Sequence, residues 1–368
     1  MTSRAVGWSA PPGRWYNRRR RYEVTTRIEE APLVSRRTLL LALAVALLPF
    51  PAVPREAGWR PAPAGLAAAP GTGPCGQEPW SIGVPGQPAN AAGERATRPS
   101  IAAFCRLGAW VDHYDLWLWL DPATATRELA GHRVGTLYLQ TGRFSDGTDI
   151  IQIQRIGQWV EAAHAAGLRV VGWYLPGYGR WLERDVRRTL AAVGFQSPSG
   201  QRFDAVAVDI EYRAATPNVA TFNRGVAAHL ERVRREVGPD YPLGAIVPAP
   251  RGMALYADKW TGFPWGSIAR DADVVQTMGY WSYRGSCRAQ PAHCAYPYTA
   301  ANLADAARLT GLPVHAIGGV ADAVSLAEVG DFARAARDAR AVGASLYDYA
   351  TTVPSFWPSL EPLDQLGG

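Results

Sequence analysis

The sequence predicts an α/β fold, specifically a (β/α)8 TIM barrel. Three observations lead there. From about residue 106 the chain alternates between short apolar runs, rich in β-branched and aromatic residues, and amphipathic stretches. Eight such runs can be counted, and several are apolar almost throughout, as parallel strands covered on both faces require. Eight units in about 250 residues is the size of one barrel. An open doubly wound sheet is the alternative, but its dinucleotide-binding form needs a Gly-rich turn after the first strand. Asp112-His113-Tyr114-Asp115 stands there instead.

The runs, in order, are Ala109–Tyr114, Gly135–Gln140, Arg169–Leu175, Ala205–Tyr212, Leu243–Pro248, Asp273–Trp281, Val314–Val320 and Ala344–Tyr349. The clearest helix spans Asn218–Gly238. There Val219, Phe222, Val226, Leu230, Val233 and Val237 fall on one face, Thr216-Pro217 offers a start and Gly238 a stop. Ile156, Val160 and Ala163 mark a second helix that ends at Gly167, and Phe332 and Ala336 mark a third. The first and last helices are short and weakly patterned. The fifth connection, Ala257–Asp271, is rich in Trp, Gly and Pro, which weakens any helix in it.

Ahead of the barrel lies a leader. Ser35-Arg36-Arg37-Thr38-Leu39-Leu40 is a twin-arginine pattern, and an apolar run follows from Leu39 to Phe50. The run is short for a membrane span and right for a signal-peptide core. Small-residue cleavage sites occur near Ala64 and Ala69. The expected organisation is a signal region over 1–69, a Pro/Ala/Gly-rich linker over 70–104 and the barrel over 105–368. The expected location is extracytoplasmic, with membrane contact only through an uncleaved signal segment. The formal net charge is +6, but residues 1–69 carry 11 Arg against 4 acids, and the remainder carries 27 basic and 28 acidic residues. The basicity belongs to the leader, and nothing in the barrel points to nucleic acid. The four cysteines of an exported chain predict disulfides. Cys75–Cys105 would pin the linker, and Cys287–Cys294 would staple one loop. A zinc site is the rival, but no C-x-x-C pair is present. No cofactor motif occurs, and a monomer is expected.

The candidate site follows from the strand ends. Chemistry in a TIM barrel sits at the C-terminal ends of its strands. In FDAVAVDIEY (203–212), Val206, Val208 and Ile210 should face the helices, and Ala205, Ala207, Asp209 and Glu211 the barrel axis. Like-charge repulsion between two acids on one side, in a poorly solvated place, should raise one pKa unless Arg180 or Arg251 pairs with them. A protonated acid beside an ionised one is equipment for cleaving a glycosidic bond. Other strand ends supply groups that suit sugars: Gln140, Trp173, Tyr174, Gln276, Met278, Trp281 and Tyr347, with Asp115 after the first strand. Aromatic rings match the flat C–H faces of a sugar, and amides or carboxylates match its hydroxyls.

These residues resemble glycoside hydrolase family 18, the chitinase-like proteins. That family's fourth strand reads D-x-x-D-x-D-x-E; Asp204, Asp209 and Glu211 match it, and Ala207 replaces the second Asp. Asp273-Val-Val-Gln276-Thr-Met278-Gly-Tyr280 is similar to its sixth strand, GLPVHAIGGV (311–320) to its seventh, and GASLYDY (343–349) to its eighth, with Tyr347 where Trp is usual. The resemblance covers about 250 residues. It implies Glu211 as general acid and base, Asp209 orienting the substrate's acetamido group, and Tyr280 bonding that group's oxygen. The substrate would be an N-acetylhexosamine polymer, chitin- or peptidoglycan-like. Ala207 removes the neighbour that normally buffers Asp209, which leaves a non-catalytic sugar-binding barrel as an alternative. A family-25-like muramidase, with Asp112 and Asp115 in acidic roles, is another.

Overall fold

The computed structural model describes residues 74–76, 97–115, 117–284 and 287–368. The twin-arginine pattern, the apolar run and most of the linker lie outside the described residues. Eight parallel strands close into a barrel in sequence order. They are β1 (Arg106–Val111), β2 (Thr136–Arg143), β3 (Arg169–Leu175), β4 (Ala205–Asp209), β5 (Leu243–Pro248), β6 (Val274–Gly279), β7 (Val314–Val320) and β8 (Gly343–Tyr347). β8 pairs back to β1 through Arg106↔Gly343 and Ala109↔Leu346. No helix among the described residues is long and apolar enough to cross a membrane.

The helical layer contains α1 (Pro122–Gly131), α2 (Ile153–Ala165), α3 (Leu182–Val193), α4 (Val219–Val237), α5 (Trp265–Asp271), α6 (Ala295–Thr310) and α7 (Leu326–Asp338). Each boundary has a local cause. Asn218 caps α4 by accepting from the Thr221 amide at 2.8 Å, so Asn218, not Thr216-Pro217, starts that helix. Gly238 ends it at φ 74°, a left-handed conformation that costs glycine little. Ser325 and Glu328 form a reciprocal capping box at the start of α7. The Pro- and Trp-rich fifth connection still forms α5, preceded by short helical turns at Pro250–Ala254 and Ala257–Trp260. After β8 the barrel is followed only by helical turns over 354–365.

Two apolar clusters follow from strand alternation. The outer one lies between strands and helices and takes Val208 and Ile210 of the fourth segment. The inner one fills the barrel axis with Trp110, Tyr138, Val171, Trp173, Ala205, Ala207, Ile246 and Ile317. Phe104 and Ile101 belong to the inner cluster and plug the N-terminal end of the barrel. Trp110 stacks on Tyr138 at 4.2 Å between centroids. A polar chain threads this core. The Trp110 indole donates to Ser345 Oγ at 2.8 Å, Ser345 reaches His315 Nε2 at 2.9 Å, and His315 Nδ1 lies 2.9 Å from the Phe104 carbonyl. Burial lowers the His315 pKa to about 4, so the ring is neutral and bridges as one donor and one acceptor.

The segment before β1 is tied to the barrel's N-terminal end. Cys75 and Cys105 form a disulfide, and Cys287 and Cys294 form a second, as expected from the sequence. Arg98 donates to the Ala269 carbonyl at 2.7 Å and lies 3.5 Å from Asp273, which also meets Arg234 at 2.7 Å. Asp273 is fully buried, and a buried carboxylate needs such compensation.

Candidate active site

The β4 ladder ends at Asp209, which pairs with Ile246 of β5. The next amide, Ile210, still donates to the Ile246 carbonyl at 2.7 Å, so the alternation carries on one step past the strand. Ile210 packs outward, and Glu211 emerges at the barrel mouth. Asp209 is 7% exposed, and its Oδ1 is buried without a hydrogen-bond partner. Burial, and then the Glu211 charge, raise its pKa well above the usual carboxylate range. Glu211 keeps one side open to solvent while protein surrounds the rest, and that burial raises its pKa as well. Two neighbouring carboxyls that both resist ionisation keep a proton on one of them to higher pH than isolated ones would.

The arginines that could have neutralised the pair do not do so. Arg251 bonds Asp305 at 2.7 Å, and the Arg180 guanidinium lies over the Trp181 ring. Among the described residues neither Asp209 nor Glu211 has an ion-pair partner. Ala207 leaves a methyl group where a second carboxyl would sit below Asp209. It faces Trp173 across the β3–β4 register, and the Trp173 indole N–H is buried without a partner.

Tyr280 follows β6 and packs against the inner cluster. Burial raises its pKa well above the ordinary value, and the charges of Glu211 and Asp209 push the same way, so its hydroxyl stays a donor. Its ring lies 6.2 Å from those of Tyr347 and Tyr283. Tyr347 donates to Asp112 Oδ2 at 2.6 Å. Asp112, Asp115 and Asp348 bring carboxylate oxygens within 4.8 Å of one another at the opposite wall of the mouth. Asp112 also accepts from the Tyr114 amide, and Asp348 from the Thr351 amide and hydroxyl. Sequence reasoning placed Asp115 in the site but not Asp348, whose position directly after the last residue of β8 was the available signal.

The other sequence-predicted residues separate by strand parity. Met278 and Trp173 face the barrel axis. Gln276 is fully buried one layer deeper, beside Phe104 and Gly244, out of reach of a ligand at the mouth. Tyr174 points the other way, bonding Asp185 of α3 at 2.8 Å through its hydroxyl. Trp281 packs on Phe332 of α7 at 5.4 Å and belongs to the helical layer. Gln140 accepts from the backbone amide of His113 at 3.1 Å and lies 2.6 Å from its Nδ1, so it holds the first loop. Asp204, the first acid of the D-x-x-D-x-D-x-E pattern, lies at the opposite end of the barrel, accepting from the Val170 amide and pairing with His164. A concavity of about 490 Å³ opens there, lined by Thr136, His164, Arg169 and Asp204 among others. It contains neither member of the Asp209–Glu211 pair, and strand-end geometry outweighs its size.

No family model matches the chain, and no curated relative does. Solved structures do match. An endo-β-1,4-mannanase from Thermotoga petrophila is 11% identical over 72% of this chain and 77% of its own, with a TM-score of 0.54. A family GH18 chitinase from Cycas revoluta, in a complex with allosamidin, is 12% identical over 70% of this chain and 99% of its own, at 0.50.

The fold is shared with family-18 chitinases.

It is shared equally with an endo-1,4-β-mannanase from Rhizomucor miehei, 8% identical over 67% of this chain and 86% of its own, at 0.51. At such identities the likeness is one of fold, and the site must carry the functional argument.

Proposed function

We propose that this protein is a glycoside hydrolase acting on an N-acetylhexosamine-containing polysaccharide, with Glu211 as general acid and base. The observation that carries the reading is the pair at the end of β4: a buried Asp209 with an unpartnered oxygen, two residues from a Glu211 that opens to the mouth, both with raised pKa values. A structural ion pair would have a cationic partner there. A catalytic pair meets positive charge only in the oxazolinium ion that the reaction forms from the substrate.

In the family-18-like mechanism, Glu211 gives its proton to the glycosidic oxygen as the C1–O bond breaks. The acetamido carbonyl oxygen of the same sugar attacks C1, forming a cyclic oxazolinium ion and retaining configuration overall. Asp209 accepts from the acetamido N–H, and Tyr280 donates to its oxygen until that oxygen bonds to carbon. Glu211, now ionised, takes a proton from the water that attacks C1 and is ready again. The raised pKa of Glu211 supports its use as an acid near neutral pH, and the neutral Tyr280 hydroxyl supports its use as a donor.

Export through the twin-arginine route is part of the reading. The motif and the apolar run support it, and two disulfides suit an oxidising compartment. Ala207 favours a second reading, a sugar-binding barrel without turnover. Hydrolysis of N-acetylhexosamine oligomers by the full chain, compared with Glu211→Gln, separates the two. Turnover by the wild type alone supports the enzyme, and saturable binding without turnover supports the lectin.

A further inference from the structure

The wall of the mouth formed by the loops after β2, β3, β4 and β5 is cationic and aromatic. Arg180 and Arg184 both lie over Trp181, with guanidinium carbons 4.8 and 4.6 Å from its ring centroid. Trp181 meets Phe144 at 5.6 Å, and Phe144 stacks on Tyr212 at 4.9 Å. Tyr212 directly follows Glu211. Arg213 comes next, with its guanidinium 4.8 Å from the Trp260 ring and a hydrogen bond to the Lys259 carbonyl. The Lys259 ammonium in turn lies 5.1 Å from the Tyr256 ring.

The ridge is therefore continuous from Arg180 to Lys259 and passes beside the candidate general acid. Other cations of this face are committed: Arg143 to Asp146, Arg187 to Asp149, Arg251 to Asp305. Among the described residues, no carboxylate lies within ion-pair distance of Arg180, Arg184, Arg213 or Lys259. Asp258 alone acts on Arg213, at longer range, against the burial that lowers the Arg213 pKa. A guanidinium with one face on an aromatic ring presents its N–H edge outward, in the fork that matches a carboxylate. The rings between the cations offer platforms for sugar faces. The acids of the mouth, Asp112, Asp115 and Asp348, gather on the far wall instead. Cations left without a carboxylate along one wall of a cleft orient an anionic ligand and raise its local concentration.

We propose that this ridge is a subsite for carboxylate-bearing sugar units, so that the substrate is an acidic N-acetylhexosamine polymer rather than a neutral one. The inference rests on the glycosidase reading for its orientation relative to Glu211, and binding tests it apart from turnover. The carboxylate could belong to a lactyl ether on the hexosamine or to a uronic acid alternating with it. Three oligomers of equal length distinguish these: neutral N-acetylglucosamine, the same chain with lactyl ethers on alternate units, and a chain alternating N-acetylglucosamine with a uronate. Affinity and hydrolysis of each would be measured with the full chain, with Arg180→Gln/Arg184→Gln, and with Lys259→Gln.

The wild type is expected to bind one carboxylated oligomer more tightly than the neutral one, with a preference that weakens as salt rises. An exposed ion pair is worth up to about fivefold in affinity, so the double variant should cut the preference by roughly tenfold and flatten its salt dependence. Equal affinity for all three oligomers, or a preference untouched by both variants, would overturn the inference. Preferential binding of a carboxylated oligomer without any turnover would leave the subsite standing and remove the glycosidase reading alone.

Discussion

Asp209 is the residue at which sequence and structure are most at odds with simple stability. A carboxyl with an unpartnered buried oxygen is a cost that folding must offset elsewhere. Its folded pKa, like that of Glu211, is raised, so the folded state holds a proton that the unfolded state has released. The stability linked to that proton is full below about pH 4 and is lost as pH rises through the folded values. Asp209→Asn removes the charge and keeps the shape. It should therefore raise the melting temperature at pH 7–8, by about 2–4 °C for each kcal/mol relieved, with little change at pH 4. Differential scanning calorimetry at both pH values checks this, and a lower melting temperature at pH 8 would contradict it. The same substitution should depress hydrolysis strongly, because an amide cannot stabilise the cationic intermediate as a carboxylate does.

At the scale of elements, the strands were legible because parallel burial leaves nearly unbroken apolar runs. The run around Leu243–Pro248 and that around Val314–Val320 match β5 and β7 to the residue. Ends were less legible where loops continue the apolar pattern. The pattern of the fourth run extends to Tyr212, but the ladder stops at Asp209 and the chain turns through Ile210 and Glu211. The first strand begins at Arg106, three residues earlier than its pattern suggests, because the barrel closes on β8 through Arg106 and Gly343. Face assignment worked wherever one strand's parity could be counted. Tyr174 adjoins Trp173 within β3, so the same parity count sets the two on opposite faces, whereas Trp281 lies beyond the end of β6 and has no strand parity to place it. Close strand–helix packing also fixes specific glycines. A Cβ on Gly318 of β7 would lie 2.3 Å from the Phe332 ring of α7. Gly318→Ala should cost about 1–3 kcal/mol by forcing that helix outward, seen as a lower denaturation midpoint in urea. An unchanged midpoint would mean that α7 yields freely.

For the whole molecule, two buried histidines set the acid side of the stability curve. His315 sits in the barrel core, and His229 of α4 lies beside Thr189 of α3 at 2.9 Å. Burial lowers their pKa values to about 4 and about 3. Both groups favour the folded state when neutral, so their contribution is full above about pH 6.5 and is lost as pH falls towards those values. Each pH unit in that window costs at most about 1.4 kcal/mol per histidine. His229→Phe, which keeps an aromatic ring against Tyr178, should flatten the fall in melting temperature between pH 6.5 and 4. An equally steep fall in the variant would place the acid sensitivity elsewhere. The fold at this scale was readable from eight repeated units, and both disulfide pairings from loop economy. The two-walled charge of the mouth was not, because it arises from loops as far apart in sequence as those of Asp112 and Tyr347, 235 residues, brought together only by closure of the barrel.

The central claim is that Glu211 supplies the proton that breaks a glycosidic bond. The most direct measurement is release of a fluorogenic leaving group from short N-acetylhexosamine oligomers, neutral and carboxylated, by the full chain and by Glu211→Gln between pH 4 and 8. The account predicts turnover by the wild type that declines as pH rises through the raised Glu211 pKa. It also predicts a loss of roughly 100-fold or more in the variant, with oligomer binding retained. Equal turnover by the two proteins would contradict it.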